Sequence, residues 1–144
     1  MQIRPIQDGD EAAVADLWNR CGLVRPWNDP AGDIAFARRT PESEIFIGKS
    51  NGDIIASVMC GNDGHRGWVY YVAISPDCQG GQHGRAIMAA AEDWLRALGV
   101  PKLELLIRDT NAKVVKFYEA LGYKTEPVIT MSRWPQTPPE AFGD

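Results

Sequence analysis

Two stretches of this chain hold residues whose types and spacing suit chemistry. In the first, Val72-Ala73-Ile74-Ser75-Pro76-Asp77-Cys78-Gln79-Gly80-Gly81-Gln82-His83-Gly84-Arg85, an apolar run meets a proline, a glycine-rich polar turn and a helix start. That order leaves unpaired backbone N–H groups at a helix N-terminus, beyond the end of a strand. Such a terminus carries about half a positive charge and binds phosphate readily. The glycines let the main chain approach a bulky anion with no Cβ in the way. His83 and Arg85 either add charge there or stand exposed without a role. A phosphate-bearing ligand beside the strand end is the first expectation.

The second stretch runs from Asn111 to Tyr123, as Asn-Ala-Lys-Val-Val-Lys-Phe-Tyr-Glu-Ala-Leu-Gly-Tyr. Asn111 is a good helix N-cap, and Gly122 is the usual residue just past a helix end. Asn111, Val115 and Tyr118 fall on one face at four- and three-residue spacing. That face offers a side-chain amide near its start and a phenol two turns on.

Together the two stretches resemble the GNAT N-acetyltransferase superfamily, whose members move an acyl group from acyl-coenzyme A to an amine. The resemblance spans roughly Ile3 to Trp134. The family's loop usually reads Arg or Gln, two residues, Gly, one residue, then Gly or Ala. Gln79 and Gly84 fit, whereas Gln82 stands where the first glycine is expected, and Gly80 and Gly81 supply backbone freedom through a shifted turn. The second stretch fits as Asn, then Phe-Tyr-Glu, then Leu-Gly-Tyr. The Arg25-Pro26-Trp27-Asn28-Asp29-Pro30 loop and Gly64-His65-Arg66-Gly67 are similar to a small bacterial subgroup of the family, without identifying a substrate.

The resemblance implies a site. Main-chain groups of Val72, Ala73 and Ile74 would pair with the pantetheine amides of acetyl-CoA as an added pseudo-strand. The Gln79, Gly80, Gly81, Gln82, His83, Gly84 and Arg85 backbone would hold the pyrophosphate, and Asn111 would reach the pantetheine or thioester. Tyr118 would be the acid that donates to the departing thiolate, carried over from the family's tyrosine on this helix; its alternative is packing under the sheet. The loop between the first two helices would border the acceptor groove, with Asn28 on the acceptor side, where Trp27 with Asp29 holds a cation by ring face and carboxylate or the loop serves only as a stiff turn.

Acyl transfer to an amine also needs a neutral nucleophile, because a lysine-like ammonium near ~10 has no lone pair. A donor must meet the carbonyl oxygen as charge builds on it, and the backbone N–H of Val72 or Ala73 is the candidate. The proton acceptor stays open among Asp63, His65, Tyr70, Glu104 and an ordered water. Asp63, His65 and Tyr70 are placed on the acceptor side, although Asp and Gly in the Asn62–Gly67 turn serve its geometry as well. Glu104 shares a strand face with Lys102 and can simply pair with it. A non-catalytic acyl-CoA sensor is the rival reading.

Composition narrows the field. At 144 residues, 44% hydrophobic and 24% charged, the chain is one ordinary folded domain. No apolar run approaches the roughly 20 residues of a membrane span and no leader opens the sequence, so no membrane partner is expected. A net charge of −4 argues against nucleic acid and suits a cationic acceptor, either a small-molecule amine or a protein amino group. Cys21, Cys60 and Cys78 are scattered and odd in number, as in a reducing cytoplasm. His65 and His83 have no zinc-like spacing, so no metal is expected. The loop also lacks the Gly-Lys-Ser/Thr ending of a nucleotide P-loop. Assembly is left open, with a homodimer as one option.

The elements that must position these residues follow from periodicity. A strand over Met1–Ile6 precedes a helix capped by Asp8 or Asp10, with a stripe of Val14, Leu17, Trp18 and Cys21 ending at Gly22. A helix over Gly32–Arg39 leads to strands Glu44–Lys49 and Asp53–Gly61 around Asn51-Gly52, a strong hairpin signal. Strand Trp68–Ile74 puts Trp68, Tyr70, Val72 and Ile74 on one face and Val69, Tyr71 and Ala73 on the other. The helix after the loop carries Ile87, Met88, Ala91, Leu95 and Leu98. Leu103, Leu105 and Ile107 mark a further strand, parallel to Trp68–Ile74 by right-handed crossover, then come the Asn111 helix and an extended Glu126–Arg133. The expected fold is α/β, one GNAT-like domain over residues 1–134. About four helices and a mostly antiparallel mixed sheet of six to seven strands are expected, and the resemblance implies a central splayed parallel pair. Residues 135–144 form a loosely ordered tail.

Overall fold

Asn51 and Gly52, both left-handed at φ +52° and +84°, close the hairpin between β2 (Ser43–Ser50) and β3 (Asp53–Asn62). Two successive positive φ values give a turn whose twist matches that of the flanking strands. The computed structural model describes residues 1–140 and forms two compact units, Met1–Leu106 and a second from Ile107 onward.

In the first unit, β1 (Gln2–Pro5), β2, β3, β4 (Gly67–Ile74) and β5 (Leu103–Leu105) make a five-stranded sheet in the order β1-β2-β3-β4-β5. Neighbours are antiparallel except β4 and β5, which are parallel. Helix α1 (Glu11–Arg20) packs on β3 and β4, α2 (Pro30–Arg39) on β2, and α3 (His83–Ala97) on β2, β3 and β4. Ile45 and Ile47 join Val14, Leu17, Trp18 and Ile34 in one core cluster. Phe46, between them, meets Trp94 of α3 edge-on at 6.5 Å. Side chains alternate along a strand, so α3 covers the face opposite α1 and α2. With helices on both faces, β3 is buried almost throughout, from Ile54 to Val58 and at Cys60.

The α3 stripe buries Ile87, Met88, Ala91 and Leu95. Each contributes on the order of 1–3 kcal/mol by leaving water, with Ala91 below that range. Leu98, expected in the stripe, is 49% exposed because the helix ends at Ala97. Asp10 occupies the N-cap position of α1 but makes no side-chain cap. Its carboxylate instead accepts from Arg4 Nη1 at 2.7 Å and from the Gln7 N–H at 2.8 Å. Arg38 bonds both Asp8 and Glu11, linking α2 to the start of α1.

The second unit contains α4 (Ala112–Ala120), followed by chain with no regular element among the described residues. Here two expectations are corrected. The sheet has five strands, not six or seven, and its parallel pair lies at an edge rather than centrally. Strand β5 stops at Leu105, and Glu126–Arg133 forms no ladder. Apolar, β-favouring residues make a strand only where a partner accepts their main-chain bonds. Val128, Ile129 and Met131 are instead 74%, 90% and 90% exposed, and Pro127 has no N–H to contribute. Of the expected tail, 135–140 carries no helix or strand, and 141–144 lies outside the described residues. Among the described residues no helix is long and apolar enough to cross a membrane.

Candidate active site

Strand β4 is broken in register at its middle. Met59 pairs with Tyr70 and Ser57 with Ala73, so Val58 alone stands opposite both Tyr71 and Val72. The extra residue is a β-bulge, and Tyr71 takes it up in the left-handed region at φ +51°. For a bulky residue that conformation costs on the order of 1–3 kcal/mol, and its surroundings offset the cost. Trp18 stacks on the Tyr71 ring, with centroids 3.7 Å apart and planes 2° from parallel. The Trp18 indole donates to the Ser57 hydroxyl at 2.8 Å, and Ser57 donates to the Tyr71 carbonyl at 3.0 Å. The Tyr71 phenol donates to Asp33 Oδ2 of α2 at 2.7 Å.

The bulge overturns the expected parity of β4. Met59 and Ser57 lie on one face of β3, so their partners Tyr70 and Ala73 share the α1/α2 side, although strict alternation separates them. On its other edge β4 pairs with β5 only at Gly67, Trp68 and Val69. No β5 ladder therefore covers Tyr70–Ile74 in this unit.

A short 3-10 turn, Pro76–Cys78, leads from β4 into the loop and α3. Ala73 is buried, while Val72 and Ile74 are half-buried. The Gln79 amide donates to the Ile74 carbonyl at 3.2 Å, folding the loop's start back on the strand end. Gly80 has φ +89° and open space where a Cβ would stand. Gln82 is the N-cap of α3 but makes no side-chain cap, and no acidic residue sits in the first turn. The first N–H groups of a helix have no intrahelical partner. Here exposed Gln79, Gly80, Gly81, Gln82 and Arg85, with half-buried His83 and Gly84, surround them. An anion such as a diphosphate fits this terminus. The neighbouring cavity of about 520 Å³ fits one poorly, because Asp16, Asp53 and Asp77 line it around Arg20. Arg20 is itself engaged by Asp16 and Ser75.

Of the residues expected on the acceptor side, Trp27 and Asn28 are half-buried and Asp29 is exposed. Asp29 caps α2, accepting from the Gly32 N–H at 3.1 Å. Tyr70 is 44% exposed and stacks beside Trp68, centroids 6.4 Å apart. Burial, then the Asp63 charge, raises its phenol above the usual range. Asp63 Oδ1 accepts the backbone N–H groups of His65 and Arg66, and Oδ2 accepts the Trp68 indole. The Arg66 and His65 bonds hold this carboxylate below the usual range, which makes it a weak proton acceptor. His65 is exposed beside a small cavity with Leu98 and Pro101. It lies at the start of β4, a strand's length from the glycine loop. Glu104 sits 3.9 Å from Arg66 and 3.8 Å from Lys102.

In the second unit, the Asn111 carboxamide accepts the Val114 N–H at 3.3 Å, as the N-cap of α4. Tyr118 is buried and meets Phe117 and Tyr123 edge-on at 5.0 and 5.7 Å. Its hydroxyl has no hydrogen bond among the described residues, and burial pushes the phenol up to about 12.

Two residues of the site, Tyr71 and Asp33, were not singled out from the sequence. Asp33 lies one turn after Asp29 on the same helix face, a spacing that could have flagged it. The bulge that turns Tyr71 toward it has no local signature.

The comparisons with known proteins agree with this geometry. The pattern of the Acetyltransferase (GNAT) family matches residues 11–123. An acetyltransferase of Pectobacterium atrosepticum is 41% identical over 133 residues, covering 92% of this chain and 94% of that protein. One from Yersinia pseudotuberculosis is 40% identical over 134 residues, with the same shares of each chain. Among solved structures, a putative acetyltransferase from Agrobacterium tumefaciens superposes with a TM-score of 0.79 at 19% identity, over 93% of this chain and 100% of that one. AAC(6')-Iy, in complex with the bisubstrate analog CoA-S-monomethyl-acetylneamine, superposes with a TM-score of 0.80 at 15% identity, over 92% and 97%. Bulged strand, glycine turn and uncapped helix thus occur in a sequence matched over most of its length to acetyltransferases, and the chain belongs to the GNAT family.

Proposed function

We propose that this acetyltransferase moves the acetyl group of acetyl-CoA to a primary amine by direct attack, with both substrates bound together. The observation that carries this reading is the uncapped N-terminus of α3, set directly after the β4 bulge. The donor supplies an acetyl thioester, whose C–S bond breaks as the N–C bond forms.

The chain's own groups have separable tasks. Backbone N–H groups of the Gln79–Arg85 turn hold the diphosphate, with Gly80 and Gly81 giving it close approach. Main-chain groups of Val72, Ala73 and Ile74, on the β4 edge that β5 leaves uncovered, pair with the pantetheine amides, and Asn111 contacts the same arm. The N–H of Val72 or Ala73 meets the carbonyl oxygen as it gains charge. Tyr118 remains protonated at neutral pH, since burial lifts it to about 12, and donates a hydrogen bond to the leaving sulfur. A thiol near ~8.5 is a stronger acid than this phenol, so the sulfur departs as a thiolate and Tyr118 keeps its proton.

The amine's proton goes to an ordered water and then to bulk. Three engaged groups support that assignment: Asp63 is spent on its turn, Tyr70 is held in the protonated form, and Glu104 faces two cations. Trp27, Asn28, Asp29, His65 and Tyr70 line the acceptor side. Free Cys21, Cys60 and Cys78 support a cytoplasmic location.

The test is a thiol-release screen with acetyl-CoA against amines, amino acids and basic peptides, alongside calorimetry of cofactor binding. Saturable binding and amine-dependent thiol release are expected. Binding with no release on any acceptor would replace the transferase with a sensor of the cofactor.

A further inference from the structure

The Asp33 carboxylate has one hydrogen bond among the described residues, from the Tyr71 phenol to Oδ2 at 2.7 Å. It is half-buried in the first turn of α2. The phenol that holds it belongs to the bulged residue of β4, so carboxylate and bulge are joined through a single side chain. Tyr70, its neighbour on the same side of the sheet, presents an exposed ring. Stacking of its own ring on Trp18 immobilises Tyr71, and the second oxygen of Asp33 keeps its acceptor capacity.

A carboxylate beside an amine acetylation site poses a chemical problem. It favours the ammonium form of any amine it touches, yet the attacking nitrogen must be neutral. Asp33 therefore helps only if it holds a nitrogen other than the one that reacts. We propose that Asp33, fixed by Tyr71, is a specificity-determining residue that binds a second, protonated amino group of the acceptor. The substrate class is then small molecules with at least two amino groups. This rests on the transferase reading above and narrows its acceptor.

The experiment compares 1,4-diaminobutane with 1-aminobutane, which differ only in the second nitrogen. The wild type is expected to favour the diamine in kcat/KM by roughly three- to tenfold, about twofold from its two equivalent amino groups multiplied by the range of a partly exposed charge pair. Asp33→Asn retains an oxygen for Tyr71 and should bring the ratio down through KM to about two, the statistical factor for two equivalent amines, with acetyl-CoA affinity unchanged. Asp33→Glu should restore part of the preference. A ratio of about two or less in the wild type overturns the inference, a measurement that does not depend on any variant folding. So does an unchanged ratio in Asp33→Asn. Absence of turnover with every amine overturns the transferase reading itself, and the inference with it.

Discussion

Trp18 lies flat against Tyr71, its indole bonded to Ser57 and its ring 3.7 Å from the phenol ring. A helix residue and a strand residue distant in sequence thereby brace one strained position of β4. The hydroxyl of Ser57 serves both ends of that brace, since it accepts from the indole and donates to the Tyr71 carbonyl.

Ser57→Ala removes one oxygen and leaves two buried polar groups, the Trp18 N–H and the Tyr71 carbonyl, without that partner. The expected cost is about 1–3 kcal/mol, read as a lower urea midpoint with an unchanged slope. Because the brace supports the bulge, kcat/KM for acetyl transfer should fall as well. A wild-type midpoint would show that the hydroxyl does not support Tyr71.

Gly81→Glu probes the proposed diphosphate site with little steric cost. A Cβ there would meet the His83 ring only at 3.8 Å, an ordinary contact. The added carboxylate repels a diphosphate at the start of α3, so calorimetry should show acetyl-CoA affinity reduced by an order of magnitude or more, with an unchanged melting temperature. Undiminished affinity would move the diphosphate away from this turn.

Tyr118→Phe should lower kcat by roughly a hundred- to a thousandfold, as loss of one donor to developing charge does, while acetyl-CoA affinity stays close to wild type. Since burial lifts the phenol to about 12, the wild-type rate should show no loss between pH 7 and pH 10 traceable to this group. A variant with wild-type turnover would remove Tyr118 from the reaction.

Alkaline stability follows from two raised groups. Burial, then the Glu44 charge, pushes the Cys60 thiol from 9.0 to about 12, and burial alone lifts Tyr118 from 10.0 to about 12. Both folded values exceed the unfolded ones, so the fold favours the neutral forms. Their contribution is complete below about pH 9 and declines as pH rises toward 12. The melting temperature should hold to about pH 9 and then fall. For the same reason Cys60 should resist a thiol reagent at pH 8 until the protein is unfolded. Rapid native labelling of Cys60 would contradict its burial.

Much of this molecule is settled by short-range pattern. Asn51-Gly52 specifies its hairpin because only residues that tolerate positive φ make that turn. The α3 stripe and the Gln79–Arg85 loop follow from periodicity and glycine placement, and Asn111 caps α4 through contacts three residues away. What local pattern cannot decide is which main-chain groups find partners at a distance. Glu126–Arg133 has the composition of a strand and no ladder to join, so the sheet stops at five strands. The β4 bulge likewise depends on Ser57 and Trp18, remote in sequence, which hold Tyr71 where a plain alternation would not put it. The Asp33–Tyr71 pair exists only because of that bulge. Residue types and spacing determined the glycine turn before α3; long-range packing decided which side chains stand beside the bulge, because the energy that stabilises a strained residue comes from its neighbours in space.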